Sequence, residues 1–497
     1  MANLKGLMKD TAIYGLSSIV GRFLNYLLVP LYTHYMPKES GDYGVSTNIY
    51  AYTALILVLL TFGMETTLFR FANDAPDSQN PSAVSRWSDT VFSTVMAVVF
   101  SLTAVFLLLV FGFIGPISST LGYAQHPEYL QMMAVVVALD ALQAIPFSYL
   151  RFQKRAVRFA SLKLLFIALN IGLNLFYFVI LGQTSVFYVF FINLLCTGFI
   201  TLFFLPDLVR VRWHFDGRLL RRMLSYSWPI LVLGIAGILN QVADKIIFPL
   251  VYPGTDANVQ LGIYGSCVKI AMIMAMITQA FRYAYEPFVF GGSRNTDDEQ
   301  ESKRMQAQAM KYFLIFTLLA FIIVCAYMDI LKYIIGSDYW EGLRVVPIVM
   351  AAEIMMGIYF NLSFWYKLID RTIWGAWFSG AGCLVLVAVN LLFIPRYGYM
   401  ACAWAGVAGY GTAMLLSYFV GQRKYPIDYP LRSMAAYVAI AALFTAIIYV
   451  VPRQWPVWMR LGINTLLVLL FCGHIVSHDL PLRSLPVVGK YFGKKAS

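Results

Sequence analysis

Long apolar runs separated by short polar connections dominate this chain of 497 residues. A helix needs about 20 mostly apolar residues to cross the hydrocarbon core of a bilayer. Fourteen such runs can be read from the sequence: 10–34, 45–70, 88–114, 128–150, 157–181, 185–206, 226–251, 260–288, 306–328, 342–365, 373–394, 399–420, 433–451 and 457–477. We therefore expect an all-α integral membrane protein with fourteen transmembrane helices.

The composition agrees with a membrane protein. Hydrophobic residues make up 60% of the chain and charged residues 12%, whereas soluble domains average about 45–50% and 25%. The cysteines and histidines are dispersed, so neither a disulfide framework nor a metal site is expected. The sequence lacks the GxxxxGKS/T motif of ATP-binding loops and the HExxH and GxSxG motifs of hydrolases. We expect a protein that is not an enzyme and has no cofactor.

Lysine and arginine residues concentrate in alternate connections, which sets the expected orientation. The connections 151–158, 209–222 and 422–432 and the tail at 489–495 are rich in them, whereas LGYAQHPEY and LGQTS contain none. By the positive-inside rule the basic connections and both termini are cytoplasmic. The net charge of +12 then follows from topology and from attraction to anionic lipid. No nucleic-acid partner is expected.

One sequence pattern occurs twice: a Pro-Leu pair, a polar stretch and a Gly-x-Tyr-Gly ending. We call it the corner. It reads PLYTHYMPKESGDYG, ending at Gly44, and PLVYPGTDANVQLGIYG, ending at Gly265. Aligning these two glycines brings Glu65 into register with Glu286. The polar pairs matched on the preceding helices are Arg22 with Gln241 and Asn25 with Asp244. Six helices per copy is an even number, so both copies cross the membrane in the same orientation, as in transporters with parallel repeats.

The repeat predicts how the chain is divided. We expect an N-terminal lobe of six helices at 1–206, a basic cytoplasmic linker at 207–225 and a C-terminal lobe of six helices at 226–421. The segment 422–497 then holds two helices outside the repeat and a basic cytoplasmic tail. Two homologous bundles that face each other can form the central cavity that alternating access requires.

Charged side chains inside the predicted spans are the candidate functional residues, because each costs a few kcal/mol at the bilayer centre unless it faces a cavity or pairs. The charged residues placed near mid-membrane are Arg22, Asp140, Asp244, Lys245 and Glu353, with Lys269 further out. The polar neutral residues expected beside them are Asn25, Asn174, Asn240 and Gln241. Two interpretations stay open: a hydrated, net basic cavity, or ion pairs that only hold helices together.

Local spacing adds three expectations. Asp244 and Lys245 are adjacent, so we expect them to point in different directions and not to satisfy each other. Glu65 and Glu286 lie in the half of the membrane near the cytoplasm, where we expect a structural or gate pair. Arg282 lies four residues before Glu286, a spacing at which an ion pair can form.

Three stretches resemble one transporter family. They are SSIVGRFLNYLLVPLYTHYMP with Arg22 inside the first helix, GDYG followed by FGMETTLFRF, and SDYWEGLRVVPIVM at 337–350. All three are similar to the polysaccharide-transporter (Wzx-type) branch of the MOP (multidrug/oligosaccharidyl-lipid/polysaccharide) superfamily. The resemblance covers essentially the whole chain and fits a count of 6+6+2 helices in MATE/MOP-like lobes.

The resemblance implies a flippase of the bacterial inner membrane. Such proteins move undecaprenyl-pyrophosphate-linked oligosaccharide units from the cytoplasmic to the periplasmic leaflet. It implies pyrophosphate binding by Arg22, Lys269 and Arg282, and membrane depth alone adds Lys245. It also implies a monomer among membrane lipids, with a polysaccharide polymerase as a candidate partner.

We expect coupling to H⁺ or Na⁺, and the acidic residues considered for it are Asp140, Asp244 and Glu353. The alternatives are a lipid II flippase, a multidrug or cation antiporter of the same superfamily, and a membrane scaffold or glycosyltransferase subunit that translocates nothing.

Overall fold

The computed structural model describes residues 28–74, 81–211, 213–292, 299–369, 371–452 and 454–479, leaving aside the side chains at 81, 210, 283–284 and 286–292. Every regular element in these ranges is helical, which confirms the expected all-α fold. The α-helices are α1 (Leu28–Tyr35), α2 (Asp42–Thr61), α3 (Met64–Asn73), α4 (Pro81–Gly112), α5 (Ile114–Thr120), α6 (Pro127–Phe152), α7 (Ala156–Leu175), α8 (Val186–Leu202), α9 (Leu205–Arg210), α10 (Gly217–Val251), α11 (Ala257–Gly292), α12 (Glu299–Ala326), α13 (Met328–Leu331), α14 (Val346–Leu362), α15 (Phe364–Leu368), α16 (Ile373–Tyr397), α17 (Tyr399–Lys424), α18 (Leu431–Val450) and α19 (Val457–His478).

The described part of the chain contains 13 helical segments long and apolar enough to cross a membrane. Each overlaps one of the apolar runs read from the sequence, so the protein is a multi-pass membrane protein. The predicted first span, at 10–34, lies mostly outside the described residues, and the count of fourteen stays a prediction. Helix α10 begins at Gly217, inside the stretch predicted as a linker, because the Asp216 carboxylate caps it through the N–H of Arg218 at 2.8 Å.

Residue contacts divide the chain into two compact units. Among the described residues, the first unit comprises 28–266 and 379–405. One of its apolar cores is contributed by the end of α2, by α3, α4 and α6, and by the first turns of α10. Met64, Leu68 and Val95 are completely buried there. The predicted lobe boundaries stay predictions.

The two repeated corners pack against each other within the first unit. Gly44 in α2 lies so close to α11 that a Cβ atom would come within 1.7 Å of the backbone oxygen of Asn258. In the other direction, a Cβ atom on Gly265 in α11 would lie 2.7 Å from Thr47 Oγ1 in α2. Only glycine allows two helix backbones to approach so closely. The GDYG and GIYG corners therefore form one helix–helix contact.

The second unit comprises 267–378 and the described residues from 406 onward. The final helices α18 and α19 both pack on α12. Asp479, just after α19, accepts hydrogen bonds from Lys311 Nζ of α12 and from the Tyr437 hydroxyl of α18. At the other end of α19, Arg460 pairs with Asp329 at 3.0 Å. These polar contacts anchor the helix pair that was predicted outside the repeat.

Candidate functional site

A cleft lies in the first unit, where α3 and the end of α6 meet. Its volume is about 520 Å³. The residues that line it are Thr61, Gly63, Glu65, Thr66, Phe69 and Arg151. Glu65 lies in the first turn of α3, and Arg151 lies in the last turn of α6. We name it the Glu65–Arg151 cleft; in the predicted orientation it lies toward the cytoplasmic side.

Glu65 and Arg151 form an ion pair in this cleft. Arg151 Nη2 donates to Glu65 Oε2 at 3.2 Å, and the Ser148 hydroxyl donates to the same oxygen at 3.0 Å. The Glu65 and Arg151 side chains are 42% and 37% exposed, so the pair contributes only about 0–1 kcal/mol to stability. Both groups can therefore exchange partners at low cost. The side chain of Glu286 is outside the described residues, and its pairing with Glu65 or Arg282 stays a prediction.

The cleft forms where the predicted span 45–70 is broken. Phe62 and Gly63, between α2 and α3, have φ angles of 49° and 67°. Glycine adopts this left-handed region freely, whereas a bulky residue such as Phe62 rarely does. Non-helical backbone at membrane depth is tolerated where it lines a cavity or is covered by protein. The break brings Glu65 to the cleft.

Asp140 lies near the middle of α6 and is half-buried. It interacts electrostatically with Lys163 of α7, whose Nζ lies 4.0 Å from the centre of the Phe147 ring. Positions 140, 144, 148 and 151 recur at helical spacing and share one face of α6. Asp140 therefore lies on the face of α6 that ends at the Glu65–Arg151 cleft. Its role in ion coupling stays a prediction.

The expectation that Asp244 and Lys245 cannot satisfy each other is wrong. Lys245 Nζ donates to Asp244 Oδ1 at 3.0 Å and to the backbone oxygen of Gln241 at 3.0 Å. The four-carbon lysine stem is long enough to fold back along the helix to the preceding residue. The Tyr264 hydroxyl donates to Asp244 Oδ2 at 2.7 Å. Asn48 Nδ2 donates to the Lys245 backbone oxygen at 2.7 Å, so the pair belongs to a network that joins α10 to α2 and α11.

Lys269, Arg282 and Glu353 lie in the second unit. Lys269 and Glu353 are half-buried, and each interacts with another group. The Arg282 guanidinium carbon lies 5.1 Å from the centre of the Phe360 ring. The convergence of Lys269 and Arg282 with Lys245 on one substrate stays a prediction.

Arg282 borders a small cavity in the second unit, together with Thr278, Tyr285 and three phenylalanines. Arg282 Nε, Thr278 Oγ1 and Tyr285 Oη are buried and have no hydrogen-bond partner among the described residues. The cavity volume of about 10 Å³ is close to the minimum for one water molecule.

The polar neutral residues lie in different surroundings. Asn174 is completely buried, accepts from the Tyr32 hydroxyl at 2.8 Å and donates to the Asn170 backbone oxygen at 2.7 Å. Asn240 is buried and donates to the backbone oxygen of Ala236. Gln241 is exposed. Arg22 and Asn25 lie outside the described residues, and within the described ranges no group of His, Cys, Asp and Glu could hold a metal ion.

Sequence reasoning missed Arg151 and Tyr264. Arg151 was counted only as part of the basic connection 151–158, although it lies three residues after Ser148 and so on the same helix face. Tyr264 belongs to the repeated GIYG corner, and its hydroxyl holds Asp244. Their distance from Glu65 and Asp244 along the chain hides both contacts from a sequence pattern.

The fold is similar to that of several solved membrane proteins. The structure is similar to the lipid II flippase MurJ in an inward closed conformation, with a TM-score of 0.73 and 13% identity over 93% of this chain and 98% of that one. It is also similar to an inward-facing multidrug resistance MATE family transporter of the MOP superfamily (TM-score 0.66, 12% identity, 84% and 96% covered). An outward-facing MATE structure gives a TM-score of 0.56 at 13% identity, with 88% and 96% covered. At these identities the likeness shows the fold alone.

The sequence identifies the family. Residues 39–344, more than half of the chain, match the family described as polysaccharide biosynthesis protein. The chain therefore belongs to this polysaccharide biosynthesis family. A search of curated protein sequences found no significant match. The fold shared with these structures is the one that the resemblance predicted.

Proposed function

We propose that the protein is a flippase that moves undecaprenyl-pyrophosphate-linked oligosaccharide units from the cytoplasmic to the periplasmic leaflet of the bacterial inner membrane by alternating access. One observation carries the proposal: a member of a polysaccharide biosynthesis family has the fold of a lipid II flippase over 93% of its length. Both termini are cytoplasmic in this proposal, the protein acts as a monomer, and a polysaccharide polymerase is a candidate partner.

The cations inside the spans suit a pyrophosphate. Arginine and lysine bind it through charge-assisted hydrogen bonds, and the candidates are Arg22, Lys245, Lys269 and Arg282. Lys245 is held by Asp244, so its ammonium becomes available to an anion only when that carboxylate is protonated or takes another partner. In this proposal a proton bound at Asp244 releases Lys245, which links ion binding to substrate binding.

The membrane potential favours export. Moving a negative charge outward across a membrane whose inside is negative is downhill by about 2.3 kcal/mol per charge per 100 mV. Return of H⁺ or Na⁺ through Asp140, Asp244 or Glu353 would add the energy of an ion gradient. Amide variants of each carboxylate, assayed under imposed pH, Na⁺ and potential gradients, test this coupling; unchanged gradient dependence in all three variants contradicts it.

The direct test uses the full-length protein in liposomes. A labelled undecaprenyl-pyrophosphate oligosaccharide is placed in one leaflet, and its appearance in the other is followed with an impermeant reagent. We expect movement faster than in protein-free liposomes, and slower movement with Arg282→Gln. Movement no faster than in protein-free liposomes contradicts the proposal and favours a scaffold or glycosyltransferase subunit.

Two alternatives are tested in the same liposomes. Likeness to MurJ makes lipid II a second candidate substrate, and likeness to MATE transporters makes a cationic drug a third. Transport of lipid II but not of other lipid-linked oligosaccharides would assign the first alternative. Proton-coupled or sodium-coupled drug movement without lipid movement would assign the second.

A further inference from the structure

We propose that the Glu65–Arg151 cleft binds a sugar of the lipid-linked substrate, an inference that rests on the proposed function. Its volume of about 520 Å³ falls in the range of about 300–1,000 Å³ typical of small-molecule sites. Four polar side chains and one aromatic ring line it. In the predicted orientation it lies on the side from which the sugar is loaded.

The charge of the lining favours a neutral ligand. Glu65 and Arg151 form a pair at 3.2 Å, so the positive charge is already balanced. A pyrophosphate would meet the Glu65 carboxylate and be repelled, because like charges at short range disfavour each other. A cationic drug would meet Arg151 in the same way. A polyhydroxyl compound needs no net charge and suits both groups.

The hydrogen-bonding capacity of the cleft is only partly used. Both hydrogen bonds that Glu65 accepts converge on Oε2, and Oε1 accepts none from the described residues. Arg151 donates only through Nη2 within the same ranges, although a guanidinium has five N–H donors. The Thr61 hydroxyl donates to the Leu57 backbone oxygen at 2.9 Å and keeps its acceptor capacity.

These unused hydrogen-bond donors and acceptors match the hydroxyl groups of a sugar. Each sugar hydroxyl both donates and accepts, so Glu65 Oε1 can accept from one hydroxyl while Arg151 donates to its neighbour. Thr66 is exposed and adds a second hydroxyl. The Phe69 ring also lines the cleft, with the Arg151 guanidinium carbon 5.3 Å from its centre.

The backbone beside the cleft ends α2 in an unusual conformation, in which the Phe62 N–H donates to the Val58 backbone oxygen at 3.2 Å. Phe62 holds a φ of 49°, a conformation that a bulky residue seldom adopts. Strain of this kind concentrates at ligand sites, where the surrounding structure maintains it. The strained residue comes directly after Thr61 and directly before Gly63, and both of these line the cleft.

The test measures binding to the full-length protein in nanodiscs. The probes are undecaprenyl pyrophosphate alone and the same lipid bearing N-acetylglucosamine, glucose or galactose. We expect wild-type protein to bind at least one sugar-bearing lipid more tightly than the bare lipid. Glu65→Gln keeps the shape and removes the charge, so affinity for the preferred sugar-bearing lipid falls about tenfold while affinity for the bare lipid is unchanged. Thr66→Ala, at an exposed position, lowers the same affinity by a smaller factor.

The chain offers a matched control. Asp207 pairs with Arg158 at 2.6 Å in the same unit, outside the cleft, so Asp207→Asn should leave both affinities unchanged. Equal binding of bare and sugar-bearing lipid by the wild type overturns the inference, as does a Glu65→Gln variant that loses both affinities equally. A quaternary-ammonium compound serves as a further probe. If the wild type binds this compound and Glu65→Gln does not, the cleft is a cation site and the inference is overturned.

Failure of the proposed function is seen separately. Wild-type protein that neither binds nor moves any undecaprenyl-pyrophosphate lipid would reject the flippase itself. Wild-type protein that moves the lipid-linked oligosaccharide, with Glu65→Gln and Thr66→Ala behaving identically to it, would reject only the sugar site.

Discussion

Gly44 in α2 lies against the backbone carbonyl of Asn258 in α11, where a Cβ atom would sit 1.7 Å from the carbonyl oxygen. That oxygen is part of the helix backbone and cannot rotate away. The matching glycine of the other corner, Gly265, faces the Thr47 side chain instead, at 2.7 Å from Oγ1. The two related glycines therefore differ in how much their neighbours can yield.

Replacing Gly44 by alanine should force α2 and α11 apart. We expect Gly44→Ala to lower the free energy of unfolding by roughly 1–3 kcal/mol or more, the usual cost of overpacking. Gly265→Ala should cost less, because the Thr47 rotamer can change. Thermal unfolding in detergent, followed with a thiol-reactive dye, ranks the variants, since Cys196 and Cys267 are buried.

Gly237 in α10 provides the control, because a Cβ atom there meets nothing within 4 Å. Gly237→Ala should leave the midpoint of unfolding unchanged or raise it, since alanine favours a helix by about 1 kcal/mol over glycine. A Gly44→Ala variant as stable as Gly237→Ala would show that the corner contact does not need glycine.

Asp479 should stabilise the last two helices in a pH-dependent way. Burial raises the pKa of this carboxyl, but the hydrogen bonds from Lys311 and Tyr437 lower the pKa, and the lowering is larger. The pKa therefore lies below its ordinary value of 3.8. A depressed pKa contributes stability above pH 3.8 that is lost as pH falls through the folded-state pKa. We expect Asp479→Asn to cost about 1–3 kcal/mol at pH 7, with the difference from wild type shrinking below pH 3.8 in unfolding measurements.

An exposed pair on α12 serves as the comparison. Glu299 pairs with Lys303 at 2.9 Å and is 68% exposed, so Glu299→Gln should cost under about 1 kcal/mol. A difference between Asp479→Asn and wild type that stays constant from pH 7 to pH 3 would contradict the charged contact with Lys311.

Replacing one partner of the Asp244–Lys245 pair should lower the free energy of unfolding more than replacing both partners. The two side chains are only 12% and 19% exposed, so Asp244→Asn leaves a largely buried ammonium without its carboxylate. Breaking a fully buried pair costs roughly 3–5 kcal/mol, and we expect a value toward the lower end here. The double variant Asp244→Leu with Lys245→Met should recover most of the loss, and a double-mutant cycle measures the coupling. Additive effects would show that the two residues do not interact.

The spans could be predicted from the sequence, because a bilayer imposes a length and an apolar composition on every helix that crosses it. The break at Phe62 could not, since a phenylalanine in the left-handed region carries no local signal and depends on surrounding packing. The glycines of the two corners were recognised as a repeat, and their mutual contact followed only from the structure.

The sequence indicated which charged residues could carry function, but it did not indicate which residues they contact. Depth along the spans selected Asp140 and Asp244, because charge inside a membrane is costly, whereas Glu65 was expected only in a structural or gate pair with Glu286. Their contacts join residues far apart in sequence, such as Glu65 with Arg151 and Lys311 with Asp479, and no helical or strand spacing encodes such pairs. The expectation for Asp244 and Lys245 was wrong because it followed backbone direction and neglected the reach of the lysine stem.

Lys154, just after α6, holds a φ of 56°, and its N–H and that of Arg155 donate to Arg151 and Leu150, closing the helix end. A non-glycine residue in this conformation is strained by about 1–2 kcal/mol, and glycine costs about 0.5–1 kcal/mol in chain entropy. We therefore expect Lys154→Gly to raise the free energy of unfolding by roughly 0.5–1 kcal/mol. Lys154→Ala removes the same charge but keeps the strain, so it should not stabilise. Equal unfolding midpoints for the glycine and alanine variants would rule out backbone strain at this helix end.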